Sequence, residues 1–295
     1  MQNTVYQKTN SRRNFIINSS VVMAGVGMYG LPACKNRFKI KLNVIAYNVL
    51  KCTGYPPENV KDKKQIPDLI VQELSKYSPD IINFSESPAE STVQYIAELL
   101  KMNYVFFPTA GNWPGAILTH FEIADYVNTP TVSGHRPEDL FTRHWGKATI
   151  KLSDGSSIIV NSVHLYPHDN QVSAEIRKRE ISEIIKSAMI DIEKNKSVLV
   201  IGDLNHTPEM PEYLQWMDAG FTDTFIDAGK GDGLTIRANE PIKRIDYILA
   251  HGSISENIVE SRALFEGAFR TNPSDPNSFA LSDHLPQYAR FQTGG

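Results

Sequence analysis

The 295-residue chain has only two cysteines, Cys34 and Cys52. A disulfide framework is therefore excluded as its main source of stability, and a buried apolar core has to supply it. No stretch beyond residue 33 reaches the ~18 apolar residues that a membrane span requires. Internal repeats of fixed period are absent, which excludes solenoids and propellers. Several enzyme signatures are missing too. No cysteine or histidine spacing suits zinc, no Gly-rich loop runs into Lys-Ser/Thr, and no Gly-x-Ser-x-Gly elbow presents a nucleophile. Covalent catalysis is the weaker expectation.

Positive charge is scarce in the body of the chain. Residues 1–33 hold Lys8, Arg12, Arg13 and no acid; the remainder sets 27 basic residues against 33 acidic ones, a net of −6. Proteins that track long nucleic acid are usually basic, because neutralising phosphates supplies most of their non-specific affinity. Nucleic acid is thus a possible partner, not the favoured one.

The N-terminus has an order of its own. Ser11-Arg12-Arg13-Asn14 is followed by a mostly apolar and small run from Ile16 to Tyr29, then by Leu31-Pro32-Ala33-Cys34. A basic region, an apolar region and a small-residue cleavage site make residues 1–33 an expected export signal. The paired arginines resemble a twin-arginine signal, and Leu31-Pro32-Ala33-Cys34 resembles a bacterial lipobox, in which Cys34 becomes the lipidated first residue. Residues 34–39 are then a short tether and 40–295 the functional domain. The expected location is periplasmic or at the cell surface, as a monomer that meets a membrane only through its lipid anchor. Cys52, left without a partner, reads as a small buried residue.

Within 40–295, short β-type runs recur at 42–47, 81–84, 104–107, 157–160, 197–201 and 245–249. Helical periodicity separates several of them. It places Ile66, Leu69, Ile70 and Leu74 on one face of 62–77, and Val93, Ile96, Ala97 and Leu100 on one face of 89–101. Across 171–194 it groups Ile176, Ile181, Ile184, Ile185, Met189 and Ile192, with charges opposite. Nearly all-apolar strands imply sheets covered on both faces, while the alternation around 147–164 implies an antiparallel, partly exposed part. The fold class expected is α/β: a four-layer sandwich of two mixed β-sheets packed face to face, with helices outside. Residues 228–241 and 266–280, rich in Gly, Asp, Asn and Pro, read as loops.

Oxygen-bearing residues follow these strands. Asn48 closes the first and Glu86 follows the second; Asp203 and Asn205 follow the 197–201 run, Asp246 lies at the 245–249 run, and Asp283-His284 precedes Leu285-Pro286. An α/β sheet presents its ligand site at such strand ends. Carboxylate and amide oxygens are the donors a hard cation such as Mg²⁺, or Mn²⁺, takes. His164 and His284 add imidazoles for proton transfer or phosphate contact during attack by water on phosphorus.

The ordered series Asn48, Glu86, His164-Leu165, Gly202-Asp203-Leu204-Asn205, Arg244-Ile245-Asp246-Tyr247-Ile248 and Ser282-Asp283-His284-Leu285-Pro286 resembles the endonuclease/exonuclease/phosphatase superfamily. That group includes DNase I-like nucleases, sphingomyelinases and inositol-polyphosphate phosphatases. Gly115-Ala116-Ile117-Leu118-Thr119 resembles its internal strand. The resemblance implies that Glu86 ligates the metal with Asn48 beside it, and that Asp283 supports the metal or its water network. It implies that Asp203 orients or deprotonates the attacking water, that Asn205 holds a phosphate oxygen, that Asp246 steers His284, and that His164 contacts the phosphate or assists the leaving group. Two departures stand out. Ser85 precedes Glu86 where Gln is usual, and Leu118-Thr119-His120 stands in place of Leu-Ser-Arg, so Arg143 is the candidate replacement cation.

Substrate contacts are expected from Arg143, His206, Arg237 and Arg270, with further rim candidates in His135, Arg136, His144, Trp145 and Lys243; Trp113 or Trp145 offers a stacking face. The reading is a Mg²⁺-dependent hydrolase of small extracellular phosphoesters, such as nucleotide, inositol-phosphate or lipid-headgroup compounds. The alternatives are an extracellular nuclease and a catalytically silent surface lipoprotein that binds a partner.

Overall fold

The computed structural model describes residues 41–109 and 111–292. The export signal, Cys34 and the whole tether lie outside the described residues. No helix among the described residues is long and apolar enough to cross a membrane.

In chain order the first half contributes β1 (Lys41–Asn48), α1 (Ile66–Ser75), β2 (Ile81–Ser85), α2 (Glu90–Leu100), β3 (Asn103–Phe107), β4 (Gly115–Thr119) and β5 (Glu122–Asn128). The second half contributes β6 (Trp145–Lys151), β7 (Ser157–His164), α3 (Gln171–Ile192), β8 (Ser197–Asp203), α4 (Pro211–Asp218), β9 (Thr222–Asp223), α5 (Thr224–Ala228), β10 (Asp246–His251), β11 (Ile258–Ala263) and β12 (Gln287–Gln292). The strands form two six-stranded sheets, ordered β11-β12-β1-β2-β4-β3 and β5-β6-β7-β8-β10-β9. Each is mixed, with a single parallel pair at its middle, β1 with β2 and β7 with β8. A parallel pair needs a long crossover, and α1 and α3 lie in the two crossovers.

The period of two in the strands explains the layers. In β1, Leu42, Val44 and Ala46 join a core that also holds Ile158, Val160, Leu199, Ile201 and Ile248 from the other sheet, so this face meets the second sheet. Ile45 and Tyr47 point the other way, into a core with Ile70 and Leu74 of α1 and Val93 and Ile96 of α2. In β8, Val198 and Val200 likewise pack under Ile181 and Ile184 of α3 and Trp216 of α4. Strands buried on both faces are apolar at nearly every position, which is why the runs read as continuous. The result is the four-layer α/β sandwich expected, helices outside and two mixed sheets face to face.

Two details differ from the sequence reading. The pair β6 and β7 is antiparallel as expected, but β7 is buried on both faces from Ile158 onward; the exposed strand is the edge strand β5. The buried side of α3 also carries Arg177 and Glu180, so its charges do not all lie opposite the core. Both are satisfied by partners from α4 and from loops, which a helical period does not reveal. Arg177 pairs with Glu212 (2.7 Å) and donates to the carbonyls of Tyr166 and His168. Glu180 accepts the backbone amides of Phe141 (2.7 Å) and Tyr166 (2.9 Å).

Candidate active site

The same alternation that builds the sandwich places polar residues at one end of it. Asn48 follows Leu42, Val44 and Ala46 on the inner face of β1; His164 follows Ile158 and Val160 in β7; Asp203 follows Leu199 and Ile201 in β8; Asp246 precedes Ile248 and Ala250 in β10. Register completes the alignment. His164 is paired with Asp203 across the parallel pair, and Asp203 with Asp246 across the antiparallel one, so the three stand in one row.

Gly202 makes this row possible. Its φ of +143° disfavours other residues, and a Cβ there would lie 1.9 Å from the Val163 carbonyl oxygen. A larger residue would drive apart the strands that carry His164 and Asp203.

The side chains converge. Asn48 Nδ2 donates to Asp203 Oδ2 (3.1 Å), and the Asn205 backbone amide donates to Asp203 Oδ1 (3.1 Å). His164 Nε2 lies 3.5 Å and His284 Nε2 3.8 Å from Asp203 Oδ2, while His284 Nδ1 bonds Asp246 Oδ2 at 2.8 Å. All four ionisable groups are buried. Burial, with the Asp246 charge added, pushes the Asp203 carboxyl well above the usual carboxylate range. Burial pulls the His284 imidazolium down, but the carboxylates of Asp246, Asp203 and Asp283 outweigh it and raise its pKa. His164 has no such carboxylate majority, and burial, with nearby His144, Arg143 and His284, holds it neutral.

Glu86 and Asp283 are half-buried beside this row. Glu86 follows Ser85, the register partner of Asn48, and its left-handed backbone (φ +48°) turns the chain out of the sheet. Burial raises its carboxyl, opposed by the Asn48 amide and by His284. Asp283 is tied in by Ser282, whose hydroxyl donates to the Asn48 carbonyl (2.7 Å). Four carboxyl groups thus crowd a cleft with His284 and Arg143 as the nearby cations.

Among the described residues the geometry brings one donor set together for a metal: oxygen or imidazole atoms of Asp203, Asp246 and His284 all approach within 4.8 Å of one another. Yet Asp246 and His284 are spent on each other, and a protonated imidazole has no lone pair to give. Glu86 and Asp283, half-buried beside the row, offer the carboxylate oxygens that a hard divalent cation takes.

Arg143 lies over the Trp113 ring (4.3 Å), and Lys51 Nζ lies over the same ring (4.0 Å). Burial lowers the Arg143 pKa, and Glu86 is the largest charge opposing that shift. The position compared with the usual Leu-Ser-Arg is remote instead: Thr119 pairs with Ile81, at the opposite end of β2 from Glu86, and exposed His120 approaches the Lys101 carbonyl. No basic contact is lost there.

Not every predicted contact residue reaches the cleft. His206 is fully buried; Trp216 Nε1 donates to its Nε2 (3.2 Å), and its ring packs on Tyr213 and Tyr247. His206 is thus held in the core, and it also lines the cavity beside Asn205. His144 and Trp145 are buried too, bonded to Ser162 and Asn161. Arg237 is exposed on the rim of a cavity of roughly 240 Å³. That cavity runs from Asn205 past Thr207 and Met210 to Ile236, Ile242 and Lys243. Arg270, half-buried, makes no hydrogen bond or ion pair with the catalytic row among the described residues; its loop is pinned where Leu281 donates to the Ala268 carbonyl.

Other positioning residues gave no sequence signal. Thr235, in the 228–241 loop, accepts the backbone amides of Ile245 and Asp246 on its hydroxyl and that of Leu285 on its carbonyl. That loop clamps Asp246 and the His284 segment together.

The model of the Endonuclease/Exonuclease/phosphatase family matches residues 45–284, a span that takes in every residue of the row. The chain belongs to this family. Solved structures agree on the fold. An endonuclease/exonuclease/phosphatase family protein from Bacteroides thetaiotaomicron matches with a TM-score of 0.69 at 15% identity, covering 87% of this chain and 96% of that one. A mannosyl-6-phosphatase from the same species matches at 0.68 and 16%, covering 86% and 100%. Truncated TDP2 from Caenorhabditis elegans matches at 0.61 and 14%, covering 85% and 97%. Among curated proteins, none matches this chain in sequence. Members of the endonuclease/exonuclease/phosphatase family are phosphoester hydrolases, typically dependent on a divalent metal, and this chain has their hydrolase fold.

Proposed function

We propose that the protein is an exported Mg²⁺-dependent hydrolase of small phosphoesters, with Mn²⁺ as an alternative ion. The observation that carries the reading is the row of His164, Asp203 and Asp246, closed by His284 and flanked by Glu86 and Asp283.

In this reading Glu86 and Asp283 hold the cation, with Asn48 fixing Asp203 beside them. When bound, the ion supplies charge neutralisation on the phosphoryl oxygens. Asp203, with its pKa raised by burial, accepts the proton of the attacking water, oriented by Asn48 and the Asn205 amide. His284, kept charged by Asp246, binds a non-bridging oxygen, and Arg143 adds a second cation. Neutral His164 donates a hydrogen bond to the phosphoryl group or leaving oxygen. Asn205 opens onto the 240 Å³ cavity, whose Ile236, Ile242, Ile245 and Met210 lining and Lys243 and Asp169 rim suit a small organic leaving group. A compact pocket and a net charge of −6 over residues 34–295 favour a small ester over a polymer. The mannosyl-6-phosphatase of like fold brings sugar phosphates into the candidate class.

The leader motifs support export and lipidation at Cys34, with the body a monomer held to a membrane by the anchor alone. The functional test is hydrolysis of p-nitrophenyl phosphate and bis-p-nitrophenyl phosphate. EDTA should abolish turnover, and Mg²⁺ or Mn²⁺ should restore it. Turnover untouched by chelation refutes the metal mechanism, and plasmid nicking faster than small-ester cleavage refutes the substrate class.

A further inference from the structure

A second cavity, roughly 450 Å³, adjoins the Glu86 segment. Its wall includes Lys51, Lys63, Lys64, Ser91, Thr92 and Tyr95, and no carboxylate. Three lysines in one pocket are unexpected in so acidic a body. Lys51, Lys63 and Lys64 form no ion pair among the described residues, and they are gathered on one wall, whereas Lys76, Lys147, Lys178 and Lys243 pair with carboxylates. The nearest acids in sequence are turned to other partners. Asp62 accepts the Lys64 backbone amide (2.9 Å), and Asp68 accepts the Tyr95 hydroxyl (2.6 Å).

The pocket is joined to the catalytic row through Lys51. Leu50, Lys51 and Cys52 all have left-handed backbones, with φ between +46° and +57°, a conformation non-glycine residues seldom adopt. This turn follows Asn48 directly. The Lys51 amide donates to the Glu86 carbonyl (2.8 Å), and Pro88, two residues past Glu86, forms part of the wall. With the Lys51 ammonium over the Trp113 ring (4.0 Å) and the Tyr95 hydroxyl given to Asp68, the Lys63 and Lys64 ammonium groups and the Ser91 and Thr92 hydroxyls are the groups on this wall suited to a phosphate-like anion.

We infer that this pocket binds a second phosphate of the substrate, so that the natural substrate is a small molecule bearing two phosphates, one cut at the row and one held by Lys63 and Lys64. The inference rests on the hydrolase reading above and narrows its substrate class.

The test uses Lys63→Ala/Lys64→Ala and Lys63→Arg/Lys64→Arg double variants, since both side chains are exposed and neither belongs to the catalytic machinery. Binding is measured by calorimetry, and turnover by phosphate release, for a panel of bisphosphates of graded spacing (fructose 1,6-bisphosphate and inositol 1,4-bisphosphate among them) against matched monophosphates. The wild type should prefer at least one bisphosphate by about tenfold or more. The alanine variant should lose that preference with p-nitrophenyl phosphate turnover unchanged, and the arginine variant should keep it. Equal affinity for mono- and bisphosphates across the panel, or a preference that survives in the alanine variant, overturns the inference. Lysine-dependent binding without hydrolysis of any compound would leave the pocket standing and sink the hydrolase reading instead.

Discussion

Replacing Glu180 by Gln isolates one buried carboxyl whose role is structural and whose titration falls in an accessible range. Glu180 is fully buried on α3, and its two oxygens accept the amides of Phe141 and Tyr166. Those amides lie two residues from Arg143 and two from His164, so the carboxyl sets the positions of both. Burial raises its pKa from 4.5 to about 7, against the opposing pull of the two amides, Arg177 and Arg143. Because the folded pKa is the higher one, the folded chain holds this proton more tightly than the unfolded chain. The stabilisation is therefore complete below about pH 4.5 and lost as pH rises through about 7. At about 1.4 kcal/mol per unit, the loss amounts to at most about 3.5 kcal/mol. The Gln variant has no proton to lose, and it turns an NH₂ toward one of the two amides, a fixed cost of about 1–3 kcal/mol. Urea unfolding of both proteins from pH 4.5 to 8 gives the difference in stability at each pH. The wild-type advantage should shrink by about 2–3 kcal/mol across that range. An advantage that grows with pH would mean that the two amides outweigh burial and hold the carboxyl below its ordinary value, which refutes the reasoning.

Other expectations concern activity. Asp246→Asn keeps the shape but removes the charge 2.8 Å from His284 Nδ1; kcat for p-nitrophenyl phosphate should fall by about 10² or more with the fold intact by circular dichroism. A near-normal kcat would remove the pair from catalysis. His206→Ala should lower the melting temperature by depriving Trp216 of its acceptor, whereas Arg237→Ala, on the cavity rim, should raise KM with the melting temperature unchanged. The opposite assignment of effects would reverse the placements of these two residues. Cys34→Ser should shift the protein from membrane to soluble fractions, and unchanged partitioning would end the lipobox reading.

The sequence by itself determined the layers and most of the catalytic row. A period of two in strands buried on both faces fixes which side chains meet the opposite sheet. The same parity, carried one step past the apolar run, sends Asn48, His164, Asp203 and Asp246 inward at one end. These are local rules, and they survive any detail of packing. Tertiary structure alone decided the rest. His206 stands directly beside Asn205, yet it belongs to the core, because its fate depends on Trp216 of a helix ten residues away. Arg177 and Glu180 look like solvent-facing charges until α4 and two loop segments bring them partners. Thr235 and the lysine pocket are equally silent in the sequence, since hydrogen-bond acceptors and unpaired charges are defined by what folds against them, and no periodicity encodes that.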